Sequence, residues 1–395
     1  MFAIHSVVLG LIFLLSQFLL MKVKFRFIVS LAILFFINSV FALKYLSRYT
    51  SFSWLIVLIL TAVLCAVPFI PKQKQVFVKQ KMIIPFFVIY VIFNLFLLHK
   101  VPTSSLNVDR FSVITSFWDN FLAGKYAYNA VSHMGNYPGP MPFYFILALP
   151  FYLVGELGFL SLIGILLFLS LVYKKIQSSE MGLFVAIFIL PSPIFLWETI
   201  SRSNIFFNST LILAFLLYLE DSNFQKNRSL LVIGFVGGLL LSTRNVFILS
   251  YLLAFSYYFK INKIDVKKSV IIGFSLFTTF AMTFLPFVWN FSSDFRVRNP
   301  FITQSSVLLP SYFQYYFFGM CLIFTFLIKS RKDVIFYNVV TLFVTILIYA
   351  LYVINEEGFE KAYFGNKIDV SYFIFCLPFA LYFLLDSEKI KPNLS

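Results

Sequence analysis

The chain divides into long apolar runs joined by short polar segments. A helix that crosses a bilayer needs about 20 mostly apolar residues. Runs of that kind lie near 2–20, 27–43, 51–70, 82–99, 157–173, 181–197, 205–219, 229–242, 245–259, 270–289, 312–328, 334–352 and 371–385. They predict an all-α, polytopic membrane bundle of about 13 spans. Two stretches are too long for one span. Residues 229–259 carry basic residues at both ends, so a hairpin of two short helices turning at Ser242-Thr243-Arg244-Asn245 is expected. Residues 143–173 are interrupted by Gly155-Glu156-Leu157-Gly158, which predicts an interfacial or re-entrant 143–153 and a crossing at 157–173.

The longest polar connection, about 100–142, has its own pattern. Phe111, Ile114, Phe117, Trp118, Phe121 and Leu122 recur at spacings of 3 and 4, with Ser112, Thr115, Ser116, Asp119 and Asn120 between them. This predicts an amphipathic juxtamembrane helix along the interface. Asn107 or Asp109 suits its start and Gly124 its end. Tyr128, Tyr137 and Tyr144 fit an interfacial aromatic belt.

Composition changes the picture by exclusion. With 61% hydrophobic and 12% charged residues, the chain has more apolar surface than one aqueous core can hide, which rules out a cytosolic enzyme or a secreted disulfide scaffold. Cys65, Cys321 and Cys376 fall inside expected spans and read as small hydrophobes. Three histidines argue against a histidine-built metal site, and no cofactor is expected.

The net charge of +15 sets direction before it suggests any partner. With the N-terminus outside, 20 of the 31 Lys and Arg residues fall on the inner segments, although the outer loops are longer. This is the positive-inside pattern, and it predicts N-out, C-in, with no role for nucleic acid. The first run lacks a basic n-region and a small-residue cleavage site and reads as a retained anchor. The expected organisation is N-terminal spans over 1–99, the outer loop over 100–156, a transmembrane core over 157–385 and a cytoplasmic tail over 386–395.

Several residues of the outer loop resemble a known family. Asp109 shortly after a span, the amphipathic helix, the step Phe121-Leu122-Ala123-Gly124-Lys125-Tyr126-Ala127-Tyr128 and the turn from Tyr137-Pro138 to Pro142 resemble the first outer loop of the C-fold membrane glycosyltransferases, the superfamily that includes mannosyltransferases. The resemblance continues through Ser201-Arg202-Ser203-Asn204 with Asn208, Gly237-Gly238-Leu239 with Thr243-Arg244, and Asp369 with Tyr372-Phe373 and Pro378. It covers roughly 100–385. The chain departs from the family in having three extra spans before the Asp loop, and Arg110 where many relatives carry a second acid.

The resemblance implies transfer of a sugar from a polyprenyl-phosphate donor to a glycan, lipid or protein acceptor on the outer face of the cytoplasmic membrane. The leaving group is already a stable anion, so one carboxylate as general base and cations on the phosphate suffice. The family implies Asp109 as that base, with Asp119, Glu156 and Asp294 open as alternatives. Arg202 and Arg244, in short outer turns, are the first choices for the phosphate, since Arg near lipid seeks an anion. Arg110 beside Asp109 joins them, and it would favour the ionised carboxylate. Lys125, Tyr128, His133, Tyr137, Arg296 and Arg298 are candidate substrate contacts. The plainer reading makes Asp109 a helix cap paired with Arg110, and makes Arg202 and Arg244 snorkel to headgroups. A transporter or flippase of lipid-linked glycans, or a polymerase of them, is the competing function; a transporter favours broken helices and mid-membrane charges.

Overall fold

The computed structural model describes residues 23–48, 50–66, 80–176, 192–307, 309–365 and 367–387. The expected span at 2–20, most of that at 181–197 and the tail from 388 lie outside the described residues. The described residues are helical, and no strand occurs among them. In order the helices are α1 (Val23–Leu46), α2 (Ser53–Ala66), α3 (Gln80–Lys100), α4 (Arg110–Leu122), α5 (Pro142–Val154), α6 (Phe159–Ile176), α7 (Pro193–Ile200), α8 (Ile205–Asp221), α9 (Asn227–Leu241), α10 (Ile248–Lys260), α11 (Val266–Val288), α12 (Ser292–Val297), α13 (Pro300–Val307), α14 (Phe313–Leu327), α15 (Arg331–Glu357) and α16 (Leu377–Ser387).

Phe25–Leu46, Val266–Val288 and Arg331–Glu357 are long and apolar enough to cross a membrane. α7 and α8 together are apolar enough as well, but the chain bends by 113° between them. α5, α9 and α14 are shorter apolar helices. The protein is therefore a helical membrane protein.

α15 is the central post. From Val334 to Ala350 most of its residues are buried, and α1, α10, α14 and α16 pack around it. α1 is accordingly part of the core and no appendage, with Ile33, Leu34, Ile37 and Phe41 in the main hydrophobic cluster. At one end of the bundle, ion pairs tie Arg26 to Asp333, Arg331 to Glu220, Lys332 to Asp386 and Lys175 to Asp221. Asp333 also closes a capping box with Ser330 at the start of α15.

The hairpin expected over 229–259 is present as α9, a turn at 242–244 and α10. α9 lies against α11 at very short range, because a Cβ on Gly234 would stand 2.5 Å from the Ile272 carbonyl oxygen and one on Gly238 2.4 Å from that of Leu276. Only glycine permits this approach, as small residues do between helices in lipid.

The interruption at 155–158 is also present. Gly155 closes α5 with φ of 86°, a conformation that favours glycine. The amphipathic helix is α4, and the centre of its apolar face is covered by protein while Leu122 at its end is exposed. Ile114, Phe117 and Trp118 are buried against α5, where Phe117 stacks on Phe145 at 3.7 Å and the Trp118 indole donates to the Phe145 carbonyl at 3.1 Å. Burying aromatic area against α5 uses part of the face that periodicity assigned to the interface.

Candidate functional site

Around the last turn of α1, the end of α9 and the stretch of α15 from Thr345 to Tyr349, away from the cluster of ion pairs, the helices leave a cavity of about 1070 Å³. Its polar end is built by four segments. Asp109 and Arg110 open α4, Arg244 follows α9, Lys44 and Arg48 close α1, and Lys367 with Asp369 precedes α16. Its other end is apolar, with Leu276, Phe277 and Phe280 from α11, Phe301 and Ile302 from α13, and Phe313, Phe317 and Phe318 from α14.

Asp109 stands at the capping position of α4, but its carboxylate does not cap the helix. Oδ2 instead accepts from the Ser132 hydroxyl at 2.8 Å and the Asn136 amide at 2.7 Å. Both donors come from a tight loop in which Ser132 N–H donates to the Asn136 carbonyl at 2.9 Å and Gly135 takes φ of 81°. Among the described residues nothing donates to Asp109 Oδ1. A carboxylate fixed by one oxygen and bare on the other has the form a general base needs.

Arg110 does not pair with Asp109, as adjacency suggested. Neighbours at the start of a helix point in different directions, and Arg110 turns to Asp369, forming an ion pair with it and donating to the Ser371 hydroxyl at 2.8 Å. It also lies 5.2 Å from the Tyr372 ring centre. Burial disfavours the Arg110 charge, but Tyr372, Tyr144, Asp109 and Glu198 more than offset it, so its pKa is raised and the guanidinium stays charged.

Arg244 is placed by backbone pairing between two turns. Met141 and Phe143 N–H donate to the Thr243 and Ser242 carbonyls at 3.2 and 2.9 Å, which lays the start of α5 on the end of α9. The guanidinium then sits over Tyr144, 4.8 Å from the ring centre. Arg244 is 7% exposed, its Nε has no hydrogen-bond partner, and among the described residues no carboxylate pairs with it.

Arg202 is not in this cavity. It takes φ of 54° in the break between α7 and α8, is 2% exposed, and is saturated by the Glu156 carboxylate at 3.3 Å and by the Ile200 and Leu98 carbonyls at 2.7 and 2.9 Å. Glu156, an alternative base, is thereby engaged too. Around them lies a buried polar knot, in which Glu198 accepts from the Phe206 N–H at 2.8 Å and Ser161 donates to the Ser203 carbonyl at 2.5 Å.

The other candidates divide. Tyr137 lines the cavity, and the Arg298 guanidinium sits over its ring, 3.6 Å from the centre. His133 braces the Asp109 loop from outside, with Nδ1 2.6 Å from the Ser112 hydroxyl. Tyr128 is fully buried, donates to the Pro140 carbonyl at 3.2 Å, and burial pushes its phenol well above its ordinary pKa. Lys125 and Arg296 are exposed and away from the cavity. Asp119 accepts from the Tyr152 hydroxyl at 2.6 Å and Asp294 from the Asn129 amide at 3.4 Å, both outside the cavity lining.

Comparison of the chain with protein-family models, with curated proteins and with solved structures finds no match in any of the three.

The sequence reading passed over Lys44, Arg48 and Lys367, and gave Tyr144 to an interfacial aromatic belt where it lies under Arg244. The signal was present in the sidedness count. Of the 11 Lys and Arg residues outside the segments expected to be inner, five line this one cavity.

Proposed function

We propose that the chain is a membrane glycosyltransferase of the C-fold kind, moving a sugar from a polyprenyl-phosphate donor to a lipid-linked or envelope acceptor at the outer face of the cytoplasmic membrane. The observation that carries this reading is Arg244, a buried guanidinium without a carboxylate partner, opening on the same cavity as Asp109. A buried unpaired cation is costly, and a lipid phosphate offsets that cost. The phenylalanine wall suits a prenyl chain, so the two ends of the cavity match the two ends of one amphiphile.

In the step proposed, Asp109 Oδ1 takes the proton of the acceptor hydroxyl. The acceptor oxygen bonds to the anomeric carbon while the bond from that carbon to the phosphate oxygen breaks, and the electron pair leaves with the phosphate. Arg244 meets the charge that develops there. Ser132 and Asn136 hold the carboxylate in place.

The test is transfer of a radiolabelled sugar in membranes containing the protein, supplied with a panel of polyprenyl-phosphate sugars. Asp109→Asn is expected to remain inserted and to lose transfer. Turnover equal to wild type in that variant sinks the assignment.

The broken α7–α8 pair, with Glu198 and Arg202 buried at its bend, favours a second reading, movement of a lipid-linked glycan across the membrane. Flux of a labelled polyprenyl-phosphate sugar in proteoliposomes, with no transfer to any acceptor, would select it.

A further inference from the structure

The polar end of the cavity carries more positive charge than a monophosphate glycosyl donor can use. Lys44, Arg48, Arg110, Arg244 and Lys367 line it with two carboxylates, Asp109 and Asp369, an excess of three positive charges. Asp369 is occupied by Arg110. A polyprenyl-phosphate sugar is a phosphodiester with a single negative charge, so Arg244 alone balances it and two positive charges remain beside low-dielectric walls.

They come from three side chains, Lys44, Arg48 and Lys367, with Asp109 offsetting one charge, and the three are not scattered. Lys44, 4% exposed, donates to the Ile368 carbonyl at 2.7 Å, which brings the end of α1 against the segment that carries Lys367. Arg48 follows one turn later and lies 5.1 Å from the Tyr45 ring centre. Among the described residues the Ile368 carbonyl is the single acceptor on the Lys44 ammonium, which has three protons to donate. Arg110, paired with Asp369 next to Ile368, lines the same end.

We propose that Lys44, Arg48 and Lys367 form a second oxyanion subsite, separate from Arg244, for an acidic group other than the reacting phosphate. This rests on the glycosyltransferase reading. The group is a phosphate or carboxylate with two candidate sources, the acceptor or the second phosphate of a diphosphate donor.

Calorimetric titration of the purified full chain with farnesyl phosphate, farnesyl diphosphate and inorganic phosphate tests it. Arg48 and Lys367 are exposed, so the double variant Arg48→Gln/Lys367→Gln is expected to fold. If the acceptor supplies the group, inorganic phosphate binds wild type already saturated with farnesyl phosphate, and the double variant weakens that second event about tenfold while farnesyl phosphate binding holds. If the donor supplies it, farnesyl diphosphate displaces inorganic phosphate and loses about tenfold in the double variant. The proposal is overturned if inorganic phosphate does not bind beside farnesyl phosphate and all three affinities are equal in wild type and variant. Failure of farnesyl phosphate to bind wild type would count against the donor reading instead; the subsite then stands if inorganic phosphate binds and the double variant weakens it, and falls if either fails.

Discussion

Arg202 and Arg244 look alike in the sequence, each in a short polar turn between apolar helices, yet the structure gives them opposite surroundings. Arg202 commits its guanidinium to Glu156 and two backbone carbonyls inside the α7–α8 break. Arg244 is nearly as buried but faces a cavity, a tyrosine ring and no carboxylate. A buried charge must be compensated. Where the protein supplies the compensation the arginine is architecture, and where it does not, a ligand is the remaining source. The same contrast separates Glu156, which is held by Arg202, from Asp109, whose Oδ1 remains bare.

Removing the saturated arginine should do the most damage. Arg202→Met strands Glu156 and the carbonyls of Leu98 and Ile200, at a cost of about 3 kcal/mol. Loss of most folded protein in size-exclusion chromatography is expected, and wild-type yield and melting temperature would break the comparison. Asp109→Asn keeps an oxygen for the Ser132 donor, so the fold should persist while sugar transfer falls about 100- to 10,000-fold. Arg244→Gln should weaken binding of a polyprenyl-phosphate donor about 30-fold, with a melting temperature close to wild type.

Gly238→Ala sharpens the contrast from behind. The added Cβ would press on the Leu276 carbonyl at 2.4 Å and force α9 away from α11, costing about 1–3 kcal/mol in a thermal melt and loosening the turn that aims Arg244. Lys125→Ala sits at the small end. Its side chain is exposed and outside the cavity, so stability should stay within about 0.5 kcal/mol and transfer should be unchanged.

Much of the helical plan was legible because it is written in local pattern. Ser242-Thr243-Arg244-Asn245 breaks an apolar run, Gly155 breaks another, and the spacing of Phe111 to Leu122 marks α4. Partners were not legible. Periodicity identified the apolar face of α4 but not that Phe145 covers it. Arg110 adjoins Asp109 in sequence yet pairs with Asp369, 259 residues away. Lys44 and Lys367 are brought together only because α1 packs in the core beside the segment before α16. A pattern read along one helix carries no information about which distant carbonyl its last lysine meets.

In the proposed function one amphiphile fills the cavity, its phosphate at Arg244 and its chain along the phenylalanine wall. Photo-crosslinking with a polyprenyl phosphate carrying a diazirine in its chain tests this most directly, read by peptide mapping of wild type and Arg244→Gln. Label is expected on the α11, α13 and α14 residues Phe277, Phe280, Phe301 and Phe317, and its loss in Arg244→Gln. Label elsewhere on the bundle, or the same labelling in both proteins, would contradict it.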